Sequence, residues 1–219
     1  MMGRCHQRDD GVRQETLLQR WPGLLAAAIV VLVLTASCAQ GGDTPSKPAL
    51  RLLSTSDLGA DWNQRTPDNF PEPGLCGAPQ PEAFKPARAD AVVILEGPQF
   101  RHTVVELLFR RDIAGAQNLL EEVRRQVQSC KEFTATESRI ETTTKLSLLD
   151  APMLGDEAFA YRASVTGIPI FGPLRADTLL IRTGNLLMVL SVSSLGLNPD
   201  TGLFEMLGQK AFAKLTEQR

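Results

Sequence analysis

RHTVVELLFRRDIAGAQNLLEEVRRQVQSC, residues Arg101–Cys130, changes its hydrophobic period halfway along. From Arg101 to Arg110 the side chains alternate. Thr103, Val105, Leu107 and Phe109 point one way, and His102, Glu106 and Arg110 the other. A period of two is a strand. Over residues 112–130 the apolar positions are Ile113, Ala116, Leu119, Leu120, Val123, Val127 and Cys130, spaced by threes and fours. That spacing lines up on one side only if the chain coils into an amphipathic helix, and Asp112 stands where an N-cap belongs.

The segments on either side supply more strands. Ala91–Glu96, AVVILE, is a continuous apolar run rich in β-branched residues, and the turn EGPQ joins it to the Arg101–Arg110 strand as a hairpin. Beyond the helix, Ile140, Thr142, Thr144, Leu146 and Leu148 alternate with polar residues. Phe159, Tyr161, Ala163 and Val165 mark the core face of another strand. Residues 174–182 and 186–193 flank RTGN, where Gly184-Asn185 signals a two-residue hairpin. Leu203, Phe204, Leu207, Ala211 and Leu215 define a C-terminal helix with Asp200 at its N-cap position. The order is β-β-α-β-β-β-β-α. Short turns between successive strands favour antiparallel pairing. The expected fold is α+β: a curved, largely antiparallel sheet of about six strands with two helices packed on it.

Upstream, Ala49–Trp62 reads ALRLLSTSDLGADW, in which Ser54 or Ser56 caps a short helical turn and Gly59 stops it. Residues 67–86 hold six prolines, a density that excludes a helix interior or a central strand, and Cys76 sits among them.

At the N-terminus, eleven apolar residues, Leu24–Leu34, follow a segment carrying four arginines and precede Thr35, Ala36, Ser37 and Cys38. Eleven residues fall short of the roughly 20 that span a bilayer and fit the apolar region of a signal peptide. T-A-S-C after Leu34 resembles the lipobox of bacterial lipoproteins, with Thr35 where leucine is commonest. The resemblance implies diacylglyceryl transfer to the Cys38 thiol, cleavage before it, and a membrane anchor of two acyl chains. The alternative is a buried helix ending in cysteine. Residues 39–48, AQGGDTPSKP, read as a flexible tether. The expected organisation is a signal peptide over 1–37, a tether over 38–48 from lipidated Cys38, and one domain over 49–219 on the extracytoplasmic face of the membrane.

Hydrophobic residues make up 43% of the 219, charged residues 22%, and the net charge is −2. Without residues 1–37 there remain 19 basic and 22 acidic residues, scattered along the chain. No basic field is left to attract nucleic acid. Cys76 and Cys130 form an even pair in an oxidising compartment, so a disulfide is the default. The other reading is a nucleophilic or metal-binding thiol. With His102 the sole histidine after residue 37 and no CxxC, no metal site and no cofactor is expected.

The anchor, the tether, LLSTSDLGADW (Leu52–Trp62), the Cys76 loop, a strand pair, a helix ending in Cys130, LGDEAFAYR (Leu154–Arg162) and the strands around RTGN together resemble the PknH-like extracellular domain. That domain is the sensor of certain mycobacterial serine/threonine kinases and also occurs in free-standing lipoproteins. The resemblance covers roughly residues 50–217. It implies an antiparallel sheet with helices and a ligand cleft. Kinase members carry two disulfides, whereas this domain has cysteines for one.

Catalytic motifs are missing: there is no G-x-S-x-G and no P-loop. GLCG, Gly74–Gly77, lies in the Pro-rich loop without the strand and helix of a nucleophile turn, and a Cys76/His102 pair competes with the Cys76/Cys130 disulfide. Asp156 and Glu157 are adjacent, so on a strand they face opposite ways and make a poor acid/base pair. GIPIFGP, Gly167–Pro173, places Ile168, Ile170 and Phe171 in a loop. Apolar loop residues form the lip of a ligand cleft or a partner contact, or fold back to cap the core. Trp62 carries the same two readings. The expected function is a non-catalytic, lipid-anchored ligand-binding or sensor domain, with Trp62, Ile168, Ile170 and Phe171 as ligand contacts. Its ligand is an unidentified small molecule or envelope component. The alternatives are a cell-envelope enzyme and an interaction lipoprotein that docks a partner protein through residues 167–173.

Overall fold

The computed structural model describes residues 50–66, 75–76, 85, 88–137, 140–168, 172–196 and 201–217. Residues 1–49, over which a signal peptide and a tether from Cys38 are expected, most of the Pro-rich loop, Ile170, Phe171 and Asp200 lie outside the described residues. The elements in chain order are α1 (Thr55–Leu58), β1 (Asn63–Arg65), β2 (Ala91–Glu96), β3 (His102–Arg110), α2 (Ile113–Ser129), β4 (Glu132–Glu137), β5 (Ile140–Leu149), β6 (Glu157–Thr166), β7 (Leu174–Thr183), β8 (Leu186–Leu195) and α3 (Thr201–Thr216).

All eight strands join one sheet in the order β1-β2-β3-β8-β7-β6-β5-β4, and every neighbouring pair is antiparallel. The α+β class and the antiparallel pairing agree with the sequence. The count of about six strands and two helices is corrected to eight and three among the described residues. The two extra strands are the sheet edges. β1 has three residues, all exposed. In β4, EFTATE, no side chain from Glu132 to Thr136 is fully buried, so the strand lacks the apolar alternation that reveals one.

Helix α2 explains how a meander from β4 to β8 ends beside β3. Its 17 residues span about 25 Å. It carries the chain from β3 across one sheet face toward the β4 edge. Asp112 caps it by accepting from the Gly115 amide, as the sequence implies. Ala116, Leu120, Val123 and Val127 then bury against Ile94, Val105, Leu107, Phe109, Leu146, Phe159, Leu180 and Leu187. Each fully buried leucine or phenylalanine contributes roughly 1.5–3 kcal/mol.

The other face takes α3. Phe204, Leu207, Ala211 and Leu215 pack on Leu179, Ile181, Met188, Leu190 and Val192, and Leu53 of the N-terminal segment joins the same cluster. The helices therefore lie on opposite faces of the sheet. This corrects the reading of β3 as apolar on one side only. Val104 and Leu108 share the face of Glu106, and all three are fully buried. β2 and β8 bury apolar side chains on both faces, and that is why AVVILE and LLMVLSV read as nearly continuous apolar runs.

Candidate functional site

Residues paired across antiparallel strands share a face. On the α3 face His102 pairs with Ser194, Ser194 with Arg175, Arg175 with Ser164, Ser164 with Lys145, and Lys145 with Glu132. One line of polar side chains thus crosses the sheet from β3 to β4. The next line, two residues along each strand, reads Val104, Val192, Asp177, Arg162 and Ser147. The line after that, Val93, Glu106, Leu190, Leu179, Ala160 and Leu149, is apolar except for Glu106. The α3 face is therefore greasy under the helix and polar at one end.

That end carries well-defined contacts. Asp177 is fully buried, and its carboxylate accepts from Arg162 Nε at 2.6 Å and Nη2 at 2.8 Å. This side-on fork satisfies both acid oxygens and raises the Arg162 pKa further above its ordinary value. Ser194 is 1% exposed, and its Oγ lies 2.8 Å from His102 Nδ1. His102, which the alternation places on the same side as Glu106 and Arg110, is half-buried and hydrogen-bonded in the structure. A serine buried to this degree gives a substrate no approach to its hydroxyl, so the His–Ser contact positions the row.

The two described aromatic and loop positions singled out from sequence stand at this same end of the sheet. Trp62 is half-buried against Gly97, where a side-chain methyl would lie 3.2 Å from the indole. Gly97 in turn donates its amide to the carbonyl of His102. Ile168 is half-buried and follows the end of β6, next to Gly167, which turns with φ +94 against the Glu141 carbonyl. Ile170 and Phe171 lie outside the described residues.

Other candidates separate from this end. Cys76 and Cys130 come together at disulfide distance, Cα–Cα 5.8 Å, with Cys76 against the α2-side core. Asp156 and Glu157 follow the Gly155 turn; Asp156 stands ahead of β6 and not on a strand, and both acids pair with Arg182, at 3.2 and 3.5 Å. Glu157 also pairs with Arg124 at 2.7 Å. Burial opposes its charge, but the two guanidinium groups outweigh that and lower its pKa. A recess of about 340 Å³ lies along the 151–158 turn, lined by that turn alone. No group of three or more His, Cys, Asp or Glu suited to a metal exists among the described residues.

The sequence reading missed Arg162, Asp177, Arg175, Ser164 and Ser194. One signal was available: Asp177 stands two residues before the apolar run Leu179, Leu180, Ile181 and alternates in phase with it, and a carboxylate placed on that buried face requires a cationic partner.

No family model and no curated protein matches this sequence. In fold the chain is similar to the crystal structure of the extracellular domain of PknH from Mycobacterium tuberculosis. The TM-score is 0.53 at 13% identity, over 76% of this chain and 91% of that one. This likeness shows the fold alone, helices packed on an antiparallel sheet. No helix among the described residues is long and apolar enough to cross a membrane.

Proposed function

We propose that the chain is an extracytoplasmic lipoprotein whose domain is a non-catalytic sensor, tethered through Cys38 and binding a ligand at the polar end of its α3 face. The observation that carries this reading is the fold likeness, which takes in 91% of the PknH extracellular domain. Three features support it. The chain has the order of charged, apolar and small residues before Cys38 that a lipoprotein leader has. The pairing of Cys76 with Cys130 suits an oxidising compartment. The polar row also gathers charged and hydroxyl groups at the end of the sheet where Trp62 and Ile168 stand, and to the rim of the site we assign these two with Ile170 and Phe171.

The test is Cys38→Ala in cells, read by fractionation and by protease added outside the membrane. Loss of the protein from the membrane fraction, with the wild type degraded by external protease, is expected. Retention of the variant, or protection of the wild type, contradicts the proposal.

A further inference from the structure

We propose that residues 50–58 are a strap latched over the sheet by protonated Glu106, and that the strap lifts from the α3 face when Glu106 ionises. The latch goes beyond the sensor reading and needs no anchor at Cys38.

The strap lies ahead of β1 and pairs with no strand. Leu53 is its one fully buried side chain, with Leu50, Leu52 and Leu58 half-buried beside it. α1, inside the strap, buries no side chain fully. The Leu53 amide donates to Glu106 Oε2 at 2.7 Å, and Glu106 is 0% exposed. Glu106 pairs with Val93 on β2 and Leu190 on β8, and Val104 and Leu108 flank it on β3, so the carboxyl group stands among apolar side chains. Its Oε1 has no hydrogen-bond partner among the described residues. A neutral carboxyl group tolerates that setting. A carboxylate with one donor and an unsatisfied oxygen does not.

The charged groups that face Glu106 are Asp57 from the strap and Lys214 from α3. Lys214 donates to the Leu52 carbonyl at 3.1 Å and pairs with Asp57, and Lys210 donates to the Asp57 carbonyl at 2.7 Å. Arg51 and Glu217 pair at the exposed rim, 4.0 Å apart. Burial and Asp57 oppose a charge on Glu106, while the Leu53 amide and Lys214 favour it. Burial is the largest of these and keeps the proton on up to about pH 7. α3 is fastened over the same face by Phe204, Leu207, Ala211 and Leu215, so the strap is the cover that leaves most easily. Lifting it admits water to both oxygens and returns Glu106 to its ordinary pKa, 4.5. Between about 4.5 and 7 the closed form therefore binds a proton that the lifted form has lost. Acid favours the closed strap, and the lifted form gains as pH rises through that window and levels off above it.

The experiment is hydrogen exchange of the full chain in zwitterionic detergent, read at single amides by NMR from pH 5 to 8 and corrected for the intrinsic pH dependence of exchange. The opening constant of the Leu53 amide is expected to rise about fifty-fold over that range and to level off above pH 7. Its dependence on added urea is expected to be small, because a local opening exposes little surface. The Leu179 amide of central β7 exchanges through global unfolding, with a large urea dependence. Glu106→Gln keeps an acceptor for the Leu53 amide and carries no charge, so its Leu53 opening constant is expected to stay flat with pH. A flat opening constant at Leu53 in the wild type overturns the proposal. So does a Leu53 amide that exchanges together with Leu179 at the same urea dependence, or an undiminished rise in Glu106→Gln. The wild-type series needs no variant and decides the latch even where Glu106→Gln does not fold. A chain found unanchored removes the tethered-sensor reading and leaves these rates standing.

Discussion

Glu106 Oε2 accepts a hydrogen bond of 2.7 Å from the amide of Leu53, 53 residues earlier in the chain. Both residues are buried, and the other oxygen, Oε1, has no hydrogen-bond partner. The bond fastens the N-terminal segment across β3. The same segment is held at α3, where Lys214 donates to the Leu52 carbonyl and pairs with Asp57, and Lys210 donates to the Asp57 carbonyl. Asp57 also closes α1 by accepting from the Ser54 amide and hydroxyl.

Burial raises the pKa of Glu106 to about 7, against the opposing pull of the Leu53 amide and Lys214. Between about 4.5 and 7 the folded state therefore binds a proton that the unfolded state has lost. Stability falls as pH rises through that window and levels off above it, by about 3 kcal/mol in all. Asp57 and Glu157 act in the opposite sense. Their lowered pKa values contribute stability that is lost as pH falls below the ordinary carboxylate range. Urea unfolding from pH 3.5 to 8 is expected to show maximal stability near the lower edge of that window, at about pH 4.5. Glu106→Gln is expected to flatten the upper limb, and an unchanged upper limb in that variant contradicts the assignment.

Arg162 and Asp177 form an ion pair that is buried on the acid side. Arg162→Ala strands a carboxylate in the sheet and is expected to lose about 3–5 kcal/mol in urea unfolding. Asp177→Leu combined with Arg162→Met is expected to recover most of that loss, since apolar groups of similar size leave no charge uncompensated. A double variant no more stable than Arg162→Ala counts against a desolvation origin.

Gly155 and Gly172 both have left-handed φ, +70 and +69. A methyl at Gly155 collides with the Arg182 carbonyl, which also accepts the Asp156 amide, whereas a methyl at Gly172 meets nothing within 4 Å. Gly172→Ala is expected to cost about 1 kcal/mol from backbone conformation alone. Gly155→Ala is expected to cost clearly more, and melting temperatures of the two variants make the comparison.

Cys76 and Cys130 are 54 residues apart in sequence and link the Pro-rich loop to the end of α2. Cys130→Ser is expected to lose about 4 kcal/mol, as the chain-entropy model gives for a loop of this length. Reduction of the wild type by dithiothreitol is expected to produce the same shift in the unfolding midpoint, and no further shift in the variant.

The periodicity of residues 101–130 was enough to place β3 and α2, because β3 has Val105, Leu107 and Phe109 on one face and α2 has a single apolar stripe. The hairpin at Gly184-Asn185 was legible because Gly184 takes the positive φ, +59, that the turn demands. β4 was not legible. Phe133 is its one large apolar residue, and an edge strand is held by backbone pairing that leaves no mark in side-chain pattern. The polar row escaped for a different reason. His102, Ser194, Arg175 and Ser164 are up to 92 residues apart, and only the strand order β3-β8-β7-β6 lines them up. A single strand shows one polar residue near its end, which reads as ordinary solvation.

The most direct measurement is intact mass on protein purified from the native membrane, before and after reduction. The account predicts a chain beginning at Cys38, a diacylglyceryl increment on that residue, and a gain of two hydrogens on reduction of the Cys76–Cys130 bond. An unprocessed chain with free thiols contradicts it, because such a chain is neither anchored through Cys38 nor folded in an oxidising compartment.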